Sequence, residues 1–216
     1  MKYRLAIFDL DGTILDTLDD LADSTNAVLE SNSLPVRTRD EIRRFVGNGI
    51  HLLIERAVPE GSSEELIEKV FSDFKTYYKA HCSEKTAPYA GIPELITKLR
   101  SSGCRVAVVS NKADFAVQEL CMQYFPGMID FAVGEREGVR RKPAPDSAFE
   151  SMSVLGMRPS DSIYIGDSDV DIETAKNAGI PCLSVTWGFR DREFLLAHNA
   201  KRLVSTPDEI AEIILG

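Results

Sequence analysis

Cysteine is sparse in this chain and badly spaced for metal. The four residues Cys82, Cys104, Cys121 and Cys182 form no C-x-x-C pair. That spacing argues against a zinc site and is consistent with reduced thiols in a cytosolic protein. Long apolar runs are missing as well: none approaches the ~20 residues of a membrane span. The opening stretch MKYRLAIFDLDGT is interrupted by Asp9 and Asp11, and no small-residue cleavage site follows, so it does not read as a signal peptide. A cytoplasmic protein without a membrane partner is expected. Basic charge is in deficit: 25 Lys and Arg stand against 34 Asp and Glu, a net charge of −9. A nucleic-acid binder needs the opposite balance. A small anionic substrate remains compatible, because salt confines surface charge to about 8 Å. Metal, lysine and backbone N–H groups can reverse the sign inside a cleft. No internal repeat or low-complexity segment is present.

What is present fits a soluble globular protein. The 216 residues are 44% hydrophobic and 27% charged, enough for one larger domain or two small ones with a core that needs no disulfide. Apolar runs at 4–10, 105–109, 162–165 and 182–185, and a weaker one at 131–133, each end in polar residues. They read as buried parallel strands with polar tips. Helical spacing over 93–101, 113–124, 145–155, 169–178 and 207–215 separates or follows them, with Gly103, Gly156 and Gly179 placed as helix-ending glycines. Alternation of this kind predicts an α/β fold with a parallel sheet, whose ligands bind at the carboxyl ends of the strands.

Residues 16–85 differ. They carry no strand signal and four helical patterns: one ending near 31–32, then 38–46, 50–58 and 63–81. Thr38 with Glu41 forms a capping box at the second. The expectation is an all-helical domain of 16–85 inserted in a core made of 1–15 and 86–216, with hinges near 15–17 and 85–91. Asp16 reads as a cap of the first helix, and His81 and His198 as surface residues.

The sharpest local signal is Asp9-Leu10-Asp11-Gly12-Thr13, two carboxylates two residues apart at a strand end, followed by a glycine that permits close approach of a ligand. Three more patterns follow in order: Val108-Val109-Ser110-Asn111, Lys142-Pro143 before a helix, and Gly166-Asp167-Ser168-Asp169-Val170-Asp171. Together they resemble the four motifs of the haloacid dehalogenase-like superfamily, over essentially the whole chain. The helical insert resembles that family's first-position cap on a Rossmann-like core. The resemblance implies a Mg²⁺-dependent hydrolase of a small phosphorylated metabolite, acting as a monomer or homodimer. Asp9 is then the nucleophile and Asp11 the acid and base. Ser110, the Asn111 backbone and Lys142 hold the phosphoryl oxygens. Asp9, Asp167 and the Asp11 carbonyl bind the metal, and Thr13 and Asp171 support them. The stretches Arg43-Arg44-Phe45-Val46-Gly47-Asn48-Gly49-Ile50 and Val185-Thr186-Trp187-Gly188-Phe189 resemble phosphoglycolate phosphatases, which makes Arg44, Asn48, Gly49 and His51 candidates for substrate choice. Pyrophosphatases, sugar-phosphate phosphatases and hexose-phosphate mutases share nearly the same motifs. Asp11 argues against dehalogenation, and the absence of lysine between Thr17 and Glu68 argues against Schiff-base cleavage of phosphonates. A phospho-accepting receiver-like protein is the reading from another class; it needs neither Asp11 nor a helical insert.

Overall fold

The strand Leu5–Phe8 (β1) is apolar at every position and fully buried. Its side chains alternate between two separate cores: Ala6 and Phe8 on one face, Leu5 and Ile7 on the other, as the period of a strand requires. A strand buried on both faces belongs in the middle of a layered sheet. The computed structural model, which describes residues 1–216, places it there.

The other strands of this sheet are Arg105–Ala113 (β4), Phe131–Glu135 (β5), Ser162–Gly166 (β6), Cys182–Val185 (β7) and Leu203–Val204 (β8). The order is β5-β4-β1-β6-β7-β8, with every pairing parallel. The chain builds outward from β1 in one direction, then returns to build in the other, so the switch point lies at β1 and its two neighbours. Helices α5 (Ile92–Ser101), α6 (Asp114–Tyr124) and α10 (Pro207–Leu215) pack apolar faces on the Ala6/Phe8 side. Helices α7 (Asp146–Val154) and α8 (Asp169–Ala178) cover the Leu5/Ile7 side. A short helix α9, Arg192–Ala197, precedes β8. The fold is α/β, a six-stranded parallel sheet between helices. Gly103, Gly156 and Gly179 all have positive φ, the left-handed conformation in which glycine ends a helix.

Strand β4 is longer than its apolar run. Between the pairs Val109–Val133 and Ala113–Glu135, β4 advances four residues while β5 advances two. The irregularity covers Ser110, Asn111 and Lys112. A bulge of this kind re-aims side chains that simple alternation would send to opposite faces.

The chain divides into two compact units, Met1–Leu15 with Pro88–Gly216, and Asp16–Ala87. Two-residue strands, Leu15–Asp16 (β2) and Ala87–Pro88 (β3), pair where the chain passes between them. The second unit holds helices α1 (Leu18–Ser31), α2 (Arg39–Phe45), α3 (Ile50–Ala57) and α4 (Glu64–His81). Thr38 and Glu41 complete a capping box at α2, which satisfies backbone donors that a helix start leaves open. Leu21, Leu29, Ile42, Ile54, Val70 and Phe74 are buried among these helices. Asp16 accepts from the Leu18 N–H at 3.4 Å, while Thr17 occupies the cap position of α1.

One buried carboxylate fastens this unit. Asp20 on α1, 2% exposed, accepts from the Lys85 N–H (2.9 and 3.1 Å), the Thr86 N–H (2.8 Å) and the Thr86 hydroxyl (2.7 Å). Replacing it with alanine strips the acceptor from two backbone donors and a hydroxyl, of which those of Thr86 are buried. The expected cost for Asp20→Ala is about 2–4 kcal/mol, read as a lower urea midpoint with an unchanged slope.

Candidate active site

Seven residues singled out by the sequence converge around the carboxyl ends of β1, β4 and β6. Asp9 follows β1, and its backbone N–H donates to the Ile165 carbonyl on β6. Its side chain accepts from the Leu10 N–H at 2.7 Å and lies 2.9 Å from the Lys142 ammonium. Lys142 is 4% exposed and also contacts Asp171 Oδ1 at 2.8 Å. Its position is set by Asn111. The Asn111 carboxamide accepts from the Lys142 N–H (2.8 Å) and donates to the Lys142 carbonyl (3.1 Å). Sequence reasoning gave Asn111 a backbone role; its side chain brackets the lysine loop as well.

Asp171 sits in the first turn of α8 and is fully buried. Its second oxygen accepts from the Ser168 N–H (3.1 Å) and hydroxyl (2.6 Å), which closes a capping box. Asp171 therefore aims Lys142. Asp167, at the tip of β6, accepts from the Phe189 N–H at 2.6 Å and from the Thr13 hydroxyl at 3.5 Å. Ser110 is buried, and its hydroxyl accepts from the Lys112 N–H at 3.2 Å.

Room for Asp167 comes from two glycines. Gly12 has φ +79°, and a Cβ there would collide with the Asp167 carboxylate. A Cβ on Gly188 would collide with Asp167 and with the Gly12 carbonyl. Both positions demand glycine through close approach.

The electrostatics are those of an anion trap with excess acid. Burial pushes the Asp9 carboxyl up to about 7; Asp171 adds to the rise and Lys142 opposes it. Burial, then Asp171 and Asp9, hold Asp167 well above the usual carboxylate range. Burial pulls Lys142 down, but Asp171 and Asp9 outweigh it and keep the ammonium firmly charged. Asp9, Asp167 and Asp171 each place a carboxylate oxygen within 4.8 Å of the others. Three buried, hard oxygen donors at that separation with one lysine among them fit a divalent cation. The cation would offset the repulsion that raises two of them.

Asp11 does not join that cluster. Its Oδ1 lies 2.9 Å from the ammonium of Lys112, which is 4% exposed. Sequence reasoning stopped at Asn111 and passed over Lys112. The one available signal was a lysine immediately after a motif at the end of a buried strand. The Phe189 N–H was likewise seen only as part of a familiar stretch.

The candidates in the helical unit are engaged within it. His51 Nε2 contacts Glu68 Oε1 at 2.7 Å, Arg44 Nε donates to the Asp40 carbonyl at 3.2 Å, and Asn48 and Gly49 lie half-buried between α2 and α3. Gly47 and Gly49 both have positive φ.

A profile of the haloacid dehalogenase-like hydrolases matches residues 6–185. This chain belongs to the haloacid dehalogenase-like hydrolase family. A phosphoglycolate phosphatase of Aquifex aeolicus is 31% identical over 187 residues, covering 86% of each chain. An N-acetylmuramic acid 6-phosphate phosphatase of Pseudomonas aeruginosa is 30% identical over 216 residues, covering 99% of this chain and 96% of its own. A crystal structure from Lactobacillus delbrueckii subsp. bulgaricus, described as a candidate phosphoglycolate phosphatase, superposes with a TM-score of 0.94 at 40% identity over the full length of both chains. No helix of this hydrolase is long and apolar enough to cross a membrane, and all four cysteines are free thiols.

Proposed function

We propose that this hydrolase is a Mg²⁺-dependent phosphomonoesterase that works through an aspartyl-phosphate on Asp9, with 2-phosphoglycolate as its first-choice substrate. The observation that carries the reading is the buried Asp9 carboxylate, 2.9 Å from the Lys142 ammonium and beside Asp167. A nucleophile and a charge clamp meet there at one strand tip.

In the first step an Asp9 oxygen attacks phosphorus. The bond from phosphorus to the alcohol oxygen breaks, and Asp11 gives that oxygen its proton. In the second step water attacks the phosphorus. Asp11 takes the water's proton, and the bond to Asp9 breaks to release phosphate. Ser110, the Asn111 N–H and Lys142 bind the non-bridging oxygens and stabilise the charge of the transition state. Asp9, Asp167 and the Asp11 carbonyl would hold the metal, which supplies charge neutralisation to an incoming dianion. Asp171 and Thr13 act on Lys142 and Asp167.

In the same reading the helical unit is the cap. Its Gly47-Asn48-Gly49 turn, with Arg44 and His51, ranks the leaving groups. The Pseudomonas relative favours a second reading at the level of substrate, an amino-sugar phosphate, with the same chemistry.

The deciding assay measures phosphate release from 2-phosphoglycolate, sugar 6-phosphates including N-acetylmuramic acid 6-phosphate, pyrophosphate and nucleotides. The expected result is metal-dependent release, abolished by chelator and restored by Mg²⁺, with 2-phosphoglycolate preferred. Preference for a sugar phosphate replaces the substrate and keeps the mechanism. Stable phosphorylation of the chain with no release overturns the hydrolase reading.

A further inference from the structure

Two lysines are buried at the strand tips, and they serve different carboxylates. Lys142 contacts Asp9 and Asp171. Lys112 contacts Asp11 at 2.9 Å, with 2% of its own side chain and 14% of the Asp11 side chain exposed. Exposed ion pairs contribute little to stability, and buried ones often contribute less than an apolar replacement would. Stability is therefore a weak reason for a lysine in this place.

Geometry gives a better one. Asp11 lies in the loop that follows β1, where its backbone forms an isolated bridge to Leu15. Lys112 belongs to β4, beside β1 in the sheet. Its backbone is tied by its own N–H to Ser110 Oγ at 3.2 Å. The bulge in β4 turns this side chain into the site, where regular alternation from Ser110 and Asn111 would not bring all three. The direction of the Asp11 carboxyl is thereby referred to the rigid sheet rather than to its own loop.

We propose that Lys112 is a positioning residue for Asp11, holding its carboxyl where a proton passes to the leaving oxygen and from the attacking water. The inference rests on the phosphomonoesterase reading above. Proton transfer in a transition state contributes about 10²–10⁴-fold and depends on heavy-atom placement. A misplacement of about 1 Å can cost about 10²-fold.

The test is a double-mutant cycle on Mg²⁺-loaded enzyme with p-nitrophenyl phosphate and 2-phosphoglycolate as probes. Lys112→Met is expected to lower kcat about 30–100-fold and to leave KM within about threefold. In an Asp11→Asn background the same substitution is expected to change kcat by less than about threefold, because its target is already gone. Lys112→Arg keeps the charge. It is run through the same cycle in case the methionine variant does not fold, as followed by circular dichroism melts. A smaller loss is expected from it, vanishing again without Asp11. An equal loss in both backgrounds overturns the proposal for Lys112 alone and leaves Asp11 its role. A raised KM at unchanged kcat overturns it in favour of substrate binding. An Asp11→Asn enzyme as fast as wild type overturns the proton-transfer reading, and the Lys112 proposal with it.

Discussion

Asp9→Asn is expected to lower phosphate release by at least about 10⁴-fold, a loss in kcat that excess Mg²⁺ is expected not to restore. The carboxamide keeps the size of the side chain and an oxygen that can accept from Lys142. What it loses is the nucleophile of the proposed mechanism. The same variant is expected to be more stable than wild type when metal is absent. Asp9 is held at about 7 against an ordinary 3.8, so between those values the folded chain binds a proton that the unfolded chain has released. The Asp9 contribution to wild-type stability therefore falls as pH rises from about 4 to 7, and stays low above that. About three units at 1.36 kcal/mol each set an upper scale of roughly 4 kcal/mol, and a gain of about 2–4 kcal/mol for metal-free Asp9→Asn at pH 8 follows. The difference shrinks towards zero near pH 4. Chemical denaturation at the two pH values, in chelator, measures it. A variant that is inactive and less stable at both values would place Asp9 among the residues that hold the fold together.

Stability and chemistry are opposed at this strand tip, and the residues concerned, though not the opposition, were legible in the sequence. Asp9 and Asp167 stand at the ends of runs that are otherwise apolar, where a polar residue has no packing role and a ligand has access. Periodicity alone was enough to place β1, β6 and β7. The helices of Asp16–Ala87 were legible for a similar reason: Thr38 with Glu41 and Ser63 before α4 announce helix starts through hydrogen bonds local in sequence. Other features depend on tertiary pairing. Strands of two residues, Leu15–Asp16, Ala87–Pro88 and Leu203–Val204, are too short to carry an alternation. The six residues of α9 make under two turns. Residues 110–112 looked like the polar end of a strand, yet β4 runs on to Ala113 because a bulge lets it pair again with β5. That bulge is why Lys112 was missed. Its partner Asp11 is about a hundred residues away in sequence, and only the neighbouring positions of β1 and β4 bring the two together.

Lys142→Met is expected to lower kcat by about 10²–10³-fold, the scale for losing one preorganised charge in a phosphoryl clamp. It is also expected to destabilise the protein by about 3–5 kcal/mol at pH 8. The second effect follows from what the ammonium leaves behind. Asp9 lies 2.9 Å away and Asp171 2.8 Å away, both buried, and methionine gives neither a counter-charge. The lysine itself is charged throughout the working range: its pKa is raised, so its contribution is complete below its ordinary value of 10.5 and is lost only at more alkaline pH. The pH dependence of the variant therefore comes from the carboxyl side. Without Lys142, which lowers the Asp9 pKa, Asp9 ionises at still higher pH. The cost of the substitution diminishes as pH falls from 8 towards 5 and the proton takes over from the ammonium. Urea unfolding at pH 5 and pH 8 reads this directly. Mg²⁺ is expected to recover part of the loss at pH 8, because a cation bound at Asp9 and Asp167 neutralises the same carboxylate, and a ligand that binds only the folded state raises its stability. Recovery of stability without recovery of kcat would separate two roles of Lys142, compensating the acidic cluster and gripping the phosphoryl group. A loss independent of both pH and Mg²⁺ would mean that its aliphatic packing matters more than its charge.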